Sequence, residues 1–232
     1  MLHVKHLLIV GASRGLGLAL VKQALSESTR VTSVVRNAHD LPQELRQHPK
    51  LNVLKADVRS EEQLARAARQ LPDGLNFDGL IYNAAVHLER DGRDIEQTAS
   101  DPIVTTINVN AVGALRTVKH FRRFVQPGGI IAIISSEAGN ITDSKRTSEY
   151  GYCMSKAALN MFTRLLANRE QHLATGVQVF SVHPGWMRTD MGGPQAELDP
   201  EEVAKTLLAT FDKRLTAAGP EFIDRFGQPM NW

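Results

Sequence analysis

Short apolar runs rich in β-branched residues alternate with helical patterns along this 232-residue chain. The runs are HLLIVGA (6–12), RVTSVVR (30–36), LNVLKADV (51–58), FDGLIYNAA (77–85), GIIAIISS (129–136) and VQVFSVHPG (177–185). Most are almost continuously apolar, as suits strands of a parallel sheet covered on both faces. Helical segments lie between them at 15–28, 60–71, 101–126 and about 150–173. Parallel strands need long crossovers, which helices supply, so the alternation predicts a doubly wound α/β sheet with helices on both faces. Ligands of such a sheet sit at the carboxyl ends of the strands, near the point where the winding reverses.

Capping residues mark several helix starts. Ser60 and Gln63 have the spacing of a capping box. Asp101–Pro102 and Asp199–Pro200 each place a cap and a first-turn proline at a further start. No repeat, low-complexity tract or linker interrupts the pattern, so one domain over 1–232 is expected. With 42% hydrophobic and 22% charged residues the chain can bury a sizeable core.

The net charge of +2 neither demands nor excludes a nucleic-acid partner. TVKHFRRF (117–124) is basic with interleaved aromatics, and reads as a solvated helix face or a subunit interface before a nucleic-acid site. The single cysteine, Cys153, rules out an internal disulfide framework and points to a reducing compartment. The eight histidines show no zinc-like spacing with it, so no metal is expected. The start MLHVKHLLIVGAS imitates a signal peptide, yet its apolar part is brief and leads straight into a glycine turn, so it reads as a buried first strand. No run approaches the roughly 18 apolar residues of a membrane span. A cytoplasmic protein without a membrane partner is the expectation.

GASRGLG (11–17) ends the first run and opens a helix. Gly11, Gly15 and Gly17 remove Cβ atoms where the backbone turns sharply, and free N–H groups with the helix dipole favour a phosphate there. The spacing is GxxxGxG rather than GxGxxG. Dinucleotide binding competes here with an ordinary strand-to-helix turn, and the position after the first strand of a βαβ pattern favours the dinucleotide.

YGYCMSK (150–156) sets Tyr152 and Lys156 four residues apart, on one face of a helix. Tyr150 lies round the side. A pair like this can simply decorate a helix start. It can also do chemistry, because free tyrosine, with a pKa near 10, becomes a useful acid/base when a neighbouring cation stabilises its phenolate.

GASRGLG, NAA (83–85), Asn110 within NAVG, SS (135–136), YCMSK (152–156) and HPGWMRTDM (183–191) occur in the order found in short-chain dehydrogenases/reductases, and the chain resembles that family over essentially its whole length. HPGW…TDMGG and the ending GPEFIDRFGQPMNW are similar to the branch of C-factor-like and sniffer-like carbonyl reductases. Two departures stand out: Val10 where the family often has Thr, and Ala85 where its Asn-Asn-Ala-Gly has Gly. The resemblance implies a single-domain Rossmann-type fold with a mostly seven-stranded parallel sheet, in an assembly of two or four identical chains.

It also implies roles. Tyr152 would be the acid/base, Lys156 would tune it and bond the nicotinamide ribose, and Ser136 would steady the carbonyl oxygen as charge develops there. Ser135 points the other way in an extended strand end. Asn110 would help hold the lysine through a water, with Asn108 the competing choice. Around the cofactor the resemblance implies Gly11, Ser13, Arg14, Gly15, Leu16 and Gly17 at the pyrophosphate turn, and Asp57 and Val58 at the adenine. Asn83, Ala84 and Ala85 would line the adenosine cleft, with bracing of the sheet as the other reading of Asn83. Pro184, Gly185, Trp186 and Thr189 would lie at the nicotinamide amide. Residues 86–100 and 186–199 would border the substrate, and Trp186, Met187 and Met191 are either pocket walls or core. His183 reads as structural.

The second run ends in VVRNAHD, with Arg36 where an NAD-type site carries a carboxylate and Asp40 several residues too late. A guanidinium binds a 2′-phosphate by charge-assisted bonds, and Arg14 could reach the same group. NADP(H) is therefore expected over NAD(H), with a small carbonyl or alcohol substrate. The competing function is a dinucleotide-binding signalling or sensor protein with incidental turnover.

Overall fold

The computed structural model describes residues 4–89, 92, 94–217, 219 and 221–232. The alternation resolves into β1 (His6–Val10), α1 (Gly15–Ser26), β2 (Arg30–Val35), a short α2 (Gln43–Arg46), β3 (Leu51–Lys55), α3 (Glu61–Arg69) and β4 (Phe77–Tyr82). The second half runs α4 (Ser100–Ile107), α5 (Gly113–Phe121), β5 (Val125–Ile134), α6 (Tyr150–His172), β6 (Gln178–His183), α7 (Pro200–Arg214) and β7 (Phe222–Asp224). Seven parallel strands form one sheet in the order β3-β2-β1-β4-β5-β6-β7. The winding reverses between β1 and β4, where Val10 pairs with Tyr82.

Strand alternation divides the core in two. Leu8 and Val10 face the layer made by α3, α5 and α6, with Leu64, Val118, Leu159 and Leu166. Leu7 and Ile9 face α1 and α7, with Leu20, Leu207, Leu208 and Phe211. Burying each such side chain fully contributes about 1.5–3 kcal/mol, so the two layers hold the strand ends in fixed relation.

Several expectations change in detail. Ser60 caps α3 by accepting from Gln63 N, but the Gln63 side chain turns away and accepts from Asp57 N at 3.0 Å. Asp199 caps α7 as expected. Asp101 does not cap α4: the helix begins two residues earlier than that cap would set it, with Ala99 at the cap position, and Asp101 lies in the first turn.

The expected helix over 101–126 is interrupted by a π turn at Asn108–Val112 between α4 and α5, and the fifth strand starts at Val125. The buried Tyr82 hydroxyl donates to Val109 O at 2.5 Å, drawing one carbonyl out of the helical ladder. The residue pattern of the first six runs left the seventh strand unlocated; it is the three-residue β7, paired with Ser181–His183 of β6. Of the expected 86–100 border, Arg90, Asp91 and Arg93 lie outside the described residues, as does Pro220 of the ending motif.

Candidate active site

The helix α6 begins against the carboxyl end of β5. Its cap residue, Glu149, is in the left-handed region at φ 63°, which costs a non-glycine residue of order 1 kcal/mol or more. From that start Tyr152 and Lys156 fall one turn apart, both pointing under the sheet's end. Lys156 is 2% exposed and its Nζ donates to Ile134 O at 2.9 Å, the last residue of β5. The same Nζ stands 5.6 Å from the centre of the Tyr152 ring. Burial pushes the Lys156 ammonium down to about 7.

Tyr152 is pushed up to about 12, chiefly by burial, while a hydrogen bond with Ser136 draws it back. The sequence expectation was a phenol lowered by the lysine. In the structure desolvation of the phenolate outweighs the Ser136 bond and the Arg146 charge that favour it, because packing excludes water from the hydroxyl although the side chain as a whole is only half-buried.

Ser136 follows β5 in extended conformation, and its Oγ also accepts from Ala138 N at 3.1 Å. Ser135 is spent elsewhere: its Oγ donates to Asn160 Oδ1 at 2.6 Å inside the protein. Tyr150 donates to Thr147 O at 2.8 Å, away from Ser136. Ser136, Tyr152 and Lys156 thus converge, and Ser135 and Tyr150 do not join them.

Asn110 is fully buried in the π turn. Its amide accepts from Val86 N at 2.8 Å and donates to Val86 O at 2.9 Å and to Ser155 Oγ at 2.9 Å. The side chain therefore reaches α6 through Ser155, the neighbour of Lys156, and not through the lysine. Asn108, the competing choice, accepts from Arg116 at 2.8 Å and takes no part.

Two neighbours of Tyr152 were not singled out from the sequence, although His87 falls within the expected 86–100 border. His87 stacks on the phenol with ring centres 4.4 Å apart and planes 24° apart, and its Nε2 lies 3.2 Å from Glu149 Oε1. Arg146 bonds both Glu149 and Glu137. His183 accepts from Glu137 N at 3.2 Å, and burial lowers its pKa.

The glycine turn lies across the sheet's reversal from these groups. Gly11 (φ +83°) leaves no room for a side chain, since a Cβ would meet Ala84 Cα at 2.5 Å. A Cβ on Gly17 would meet Gly11 O at 2.0 Å and the Asn83 amide at 2.6 Å. Both glycines thus serve the packing of the turn against 83–84, and Asn83 braces it by donating to Gly11 O at 2.7 Å. Bracing, the alternative reading of Asn83, is what its amide does here. The N-terminus of α1 carries no side-chain cap and no acidic residue in its first turn. Leu16 is buried, Ser13, Ala84 and Ala85 are half-buried, and Arg14 is exposed. These features fit an anionic pyrophosphate at that helix end.

Arg14 meets Asp190 of the 186–199 segment at 3.0 Å, and both side chains are exposed. Arg36 is exposed at the end of β2, close enough to help lower Asp57. The larger cause is Arg59, whose guanidinium bonds both Asp57 oxygens at 2.7–3.1 Å. Neither Asp190 nor Arg59 was singled out from sequence, although Arg59 N also closes a local turn on Asp57. Val58 packs beneath, against Gly113.

In the loop after β6, expected to lie at the nicotinamide, Pro184 is buried and Gly185 adopts φ +93°, with Leu198 2.4 Å from where its Cβ would be. Thr189 packs against Gly15 and accepts from Gly192 N at 3.0 Å. Trp186 is half exposed and donates to Gly192 O at 2.8 Å, so it is no core residue; Met187 packs against the α1–α7 layer. Among the described residues no cluster of potential ligands could hold a metal, and no helix is long and apolar enough to cross a membrane.

Known proteins share this fold. A solved short-chain dehydrogenase/reductase from Burkholderia multivorans with bound NADP is 32% identical, covering 99% of this chain and 100% of that one, with a TM-score of 0.89. A carbonyl reductase from Pseudomonas aeruginosa PAO1 in complex with NADP is 30% identical over 99% and 100% of the two chains, with a TM-score of 0.86. The carbonyl reductase Sniffer of D. melanogaster is 25% identical over 99% and 100%, with a TM-score of 0.88. The C-signal protein of Myxococcus xanthus is 31% identical over 129 residues, 55% of this chain and 76% of that protein. The short chain dehydrogenase family model matches residues 5–199. By that match and by the seven-stranded fold that carries it, this chain belongs to the short-chain dehydrogenase family of oxidoreductases.

Proposed function

We propose that this chain is an NADPH-dependent carbonyl reductase whose proton donor is Tyr152. The observation that carries the reading is the convergence of the Ser136 and Tyr152 hydroxyls above a buried Lys156 at the carboxyl end of β5. NADPH, when bound, supplies the hydride that reduces a ketone or aldehyde carbon. Arg14, Arg36, the open N-terminus of α1, Asp57, Asn83, Thr189 and Lys156 are the residues that would hold it. Ser136 donates to the carbonyl oxygen as negative charge grows there, and Tyr152 passes it a proton. A tyrosine held near 12 by burial keeps its proton at neutral pH, which suits an acid in the reductive direction. Lys156 lies against the ring and steadies the phenolate that remains. Asn110 supports the lysine by fixing α6 through Ser155.

NADP bound in the Burkholderia and Pseudomonas structures supports the cofactor, and the absence of a carboxylate at Arg36 supports the phosphate form. Val104, Leu115, Met161 and Leu165, exposed on α4–α6, support an assembly of identical chains. The free thiol of Cys153 supports a cytoplasmic setting.

The test is NADPH oxidation against aldehydes, quinones, diketones and hydroxysteroid-type ketones, by wild type and by Tyr152→Phe. Turnover is expected with some of the panel, falling about 10²–10⁴-fold in Tyr152→Phe with cofactor binding kept. Tyr150→Phe should stay near wild type. Tight NADPH binding without turnover of any carbonyl would instead favour a dinucleotide-sensing role, the reading that the likeness to C-signal keeps in play.

A further inference from the structure

His87 occupies a position that the carbonyl-reduction chemistry above does not use. It follows Val86, and Val86 is clamped at both its N–H and its C=O by the buried Asn110 amide. The next residue along the loop, His87, then lies flat on the Tyr152 phenol at 4.4 Å, on a side chain only 10% exposed. Its outer nitrogen is held 3.2 Å from Glu149, the cap residue of the helix that carries Tyr152. Glu149 is itself fixed by Arg146. The imidazole is therefore packed between the loop after β4 and the start of α6, and presses on one face of the phenol, while the Lys156 stem passes its ammonium near the ring as well.

A tyrosine ring in a helix swings about χ1 and χ2, and a swing of that kind moves the hydroxyl off Ser136. A flat partner at stacking distance limits the swing, and proton transfer falls steeply when the donor leaves hydrogen-bond reach. We propose that His87 is a positioning residue for Tyr152, carrying the hold of Asn110 on Val86 across to the phenol so that the hydroxyl stays aimed at Ser136. This rests on the reading of Tyr152 as the proton donor. On that basis Asn110 acts on the site by two routes, through Ser155 to α6 and through His87 to the acid itself.

The test compares the full-length protein with His87→Ala, His87→Gln and His87→Phe, each alone and in a Tyr152→Phe background. Far-UV circular dichroism and NADPH affinity report on folding and on the cofactor site. His87→Ala and His87→Gln are expected to lower kcat roughly three- to tenfold, the worth of one aromatic stack, with NADPH affinity within about twofold of wild type. His87→Phe restores a flat partner without a nitrogen facing Glu149, and should recover kcat to within about twofold. In the Tyr152→Phe background removing the imidazole should cost nothing further, since there is no phenol left to aim. A wild-type kcat in His87→Gln overturns the proposal, and so does a His87→Phe variant as slow as His87→Ala. An equal loss from His87→Ala with and without the Tyr152 hydroxyl would make His87 a substrate contact in its own right and would overturn it too. If Tyr152→Phe alone keeps full activity, the proton-donor reading falls first and this inference falls with it. Failure of the His87 variants with an inactive Tyr152→Phe leaves that reading standing.

Discussion

Ser135 and Ser136 are adjacent, chemically identical and almost equally buried, yet the strand end separates their fates. Ser136 faces Tyr152, while Ser135 is bonded to Asn160 within the protein. Ser136→Ala should therefore cost turnover, by roughly 2.7–4 kcal/mol for the loss of one oxyanion donor, together with about 1 kcal/mol of stability from the lost bond to Ala138 N. Ser135→Ala should lose a similar amount of stability, about 1 kcal/mol, and keep kcat. Steady-state rates and melting curves on both variants check the pair. The choice of Ser136 was legible because side chains alternate at a strand end. The elevation of Tyr152 was not, since the i,i+4 spacing reports proximity to Lys156 but says nothing of how much water either group loses.

At the scale of elements, the π turn at Asn108–Val112 is the feature the helical pattern hid. The apolar periodicity of 101–126 continues through it, so the sequence reads as one helix. Tyr82 from β4 pulls Val109 O aside, and the extra backbone room puts the Asn110 amide opposite Val86. Asn110→Ala would leave both Val86 groups and Ser155 without this partner in a buried place. The expected loss is about 2–3 kcal/mol, or roughly 5–10 °C in melting temperature for a chain of this size, together with lower kcat. Scanning calorimetry and a rate measurement test this. A variant that melts like wild type would mean the turn is held by Tyr82 alone.

At the scale of the whole molecule, ligand and proton both act on the folding equilibrium. A cofactor that binds only the folded chain stabilises it by mass action, so NADPH should raise the melting temperature more than NADH at equal concentration. Arg36→Ala should shrink that difference, because NADH has no 2′-phosphate for a guanidinium to hold. Equal losses for both cofactors would remove Arg36 from phosphate recognition. Lys156 sets a pH dependence of the free protein. Its folded pKa of about 7 lies below the ordinary lysine value of 10.5, so the unfolded chain binds the extra proton between those limits. Stability contributed by this group should therefore rise with pH through that window, and the full cost of the buried charge is felt below about pH 7. Tyr152, raised from 10.0 to about 12, works in the other sense and lowers stability only as pH climbs from about 10 to 12. Lys156→Met should gain on wild type below pH 7, with the gap closing toward pH 10. Melting temperatures measured in parallel across that range check the sign.

The alternation of strand and helix, the glycine turn at 11–17, the Tyr152–Lys156 pair and the cap at Asp199 were all determined by the sequence itself. Each is a local pattern, fixed by side-chain spacing within a few residues, and local spacing survives being read as a string. The tertiary structure alone decided the remainder. It brought His87 from the loop after β4 onto Tyr152 of α6, and Arg14 to Asp190 across 176 positions of chain. It broke a continuous helical pattern at Asn110, closed the sheet with a three-residue β7, and set the Tyr152 hydroxyl high and the Lys156 ammonium low. These depend on which loops meet at the carboxyl ends of the strands and on how much water is excluded there, and both are properties of packing between distant segments rather than of any one of them.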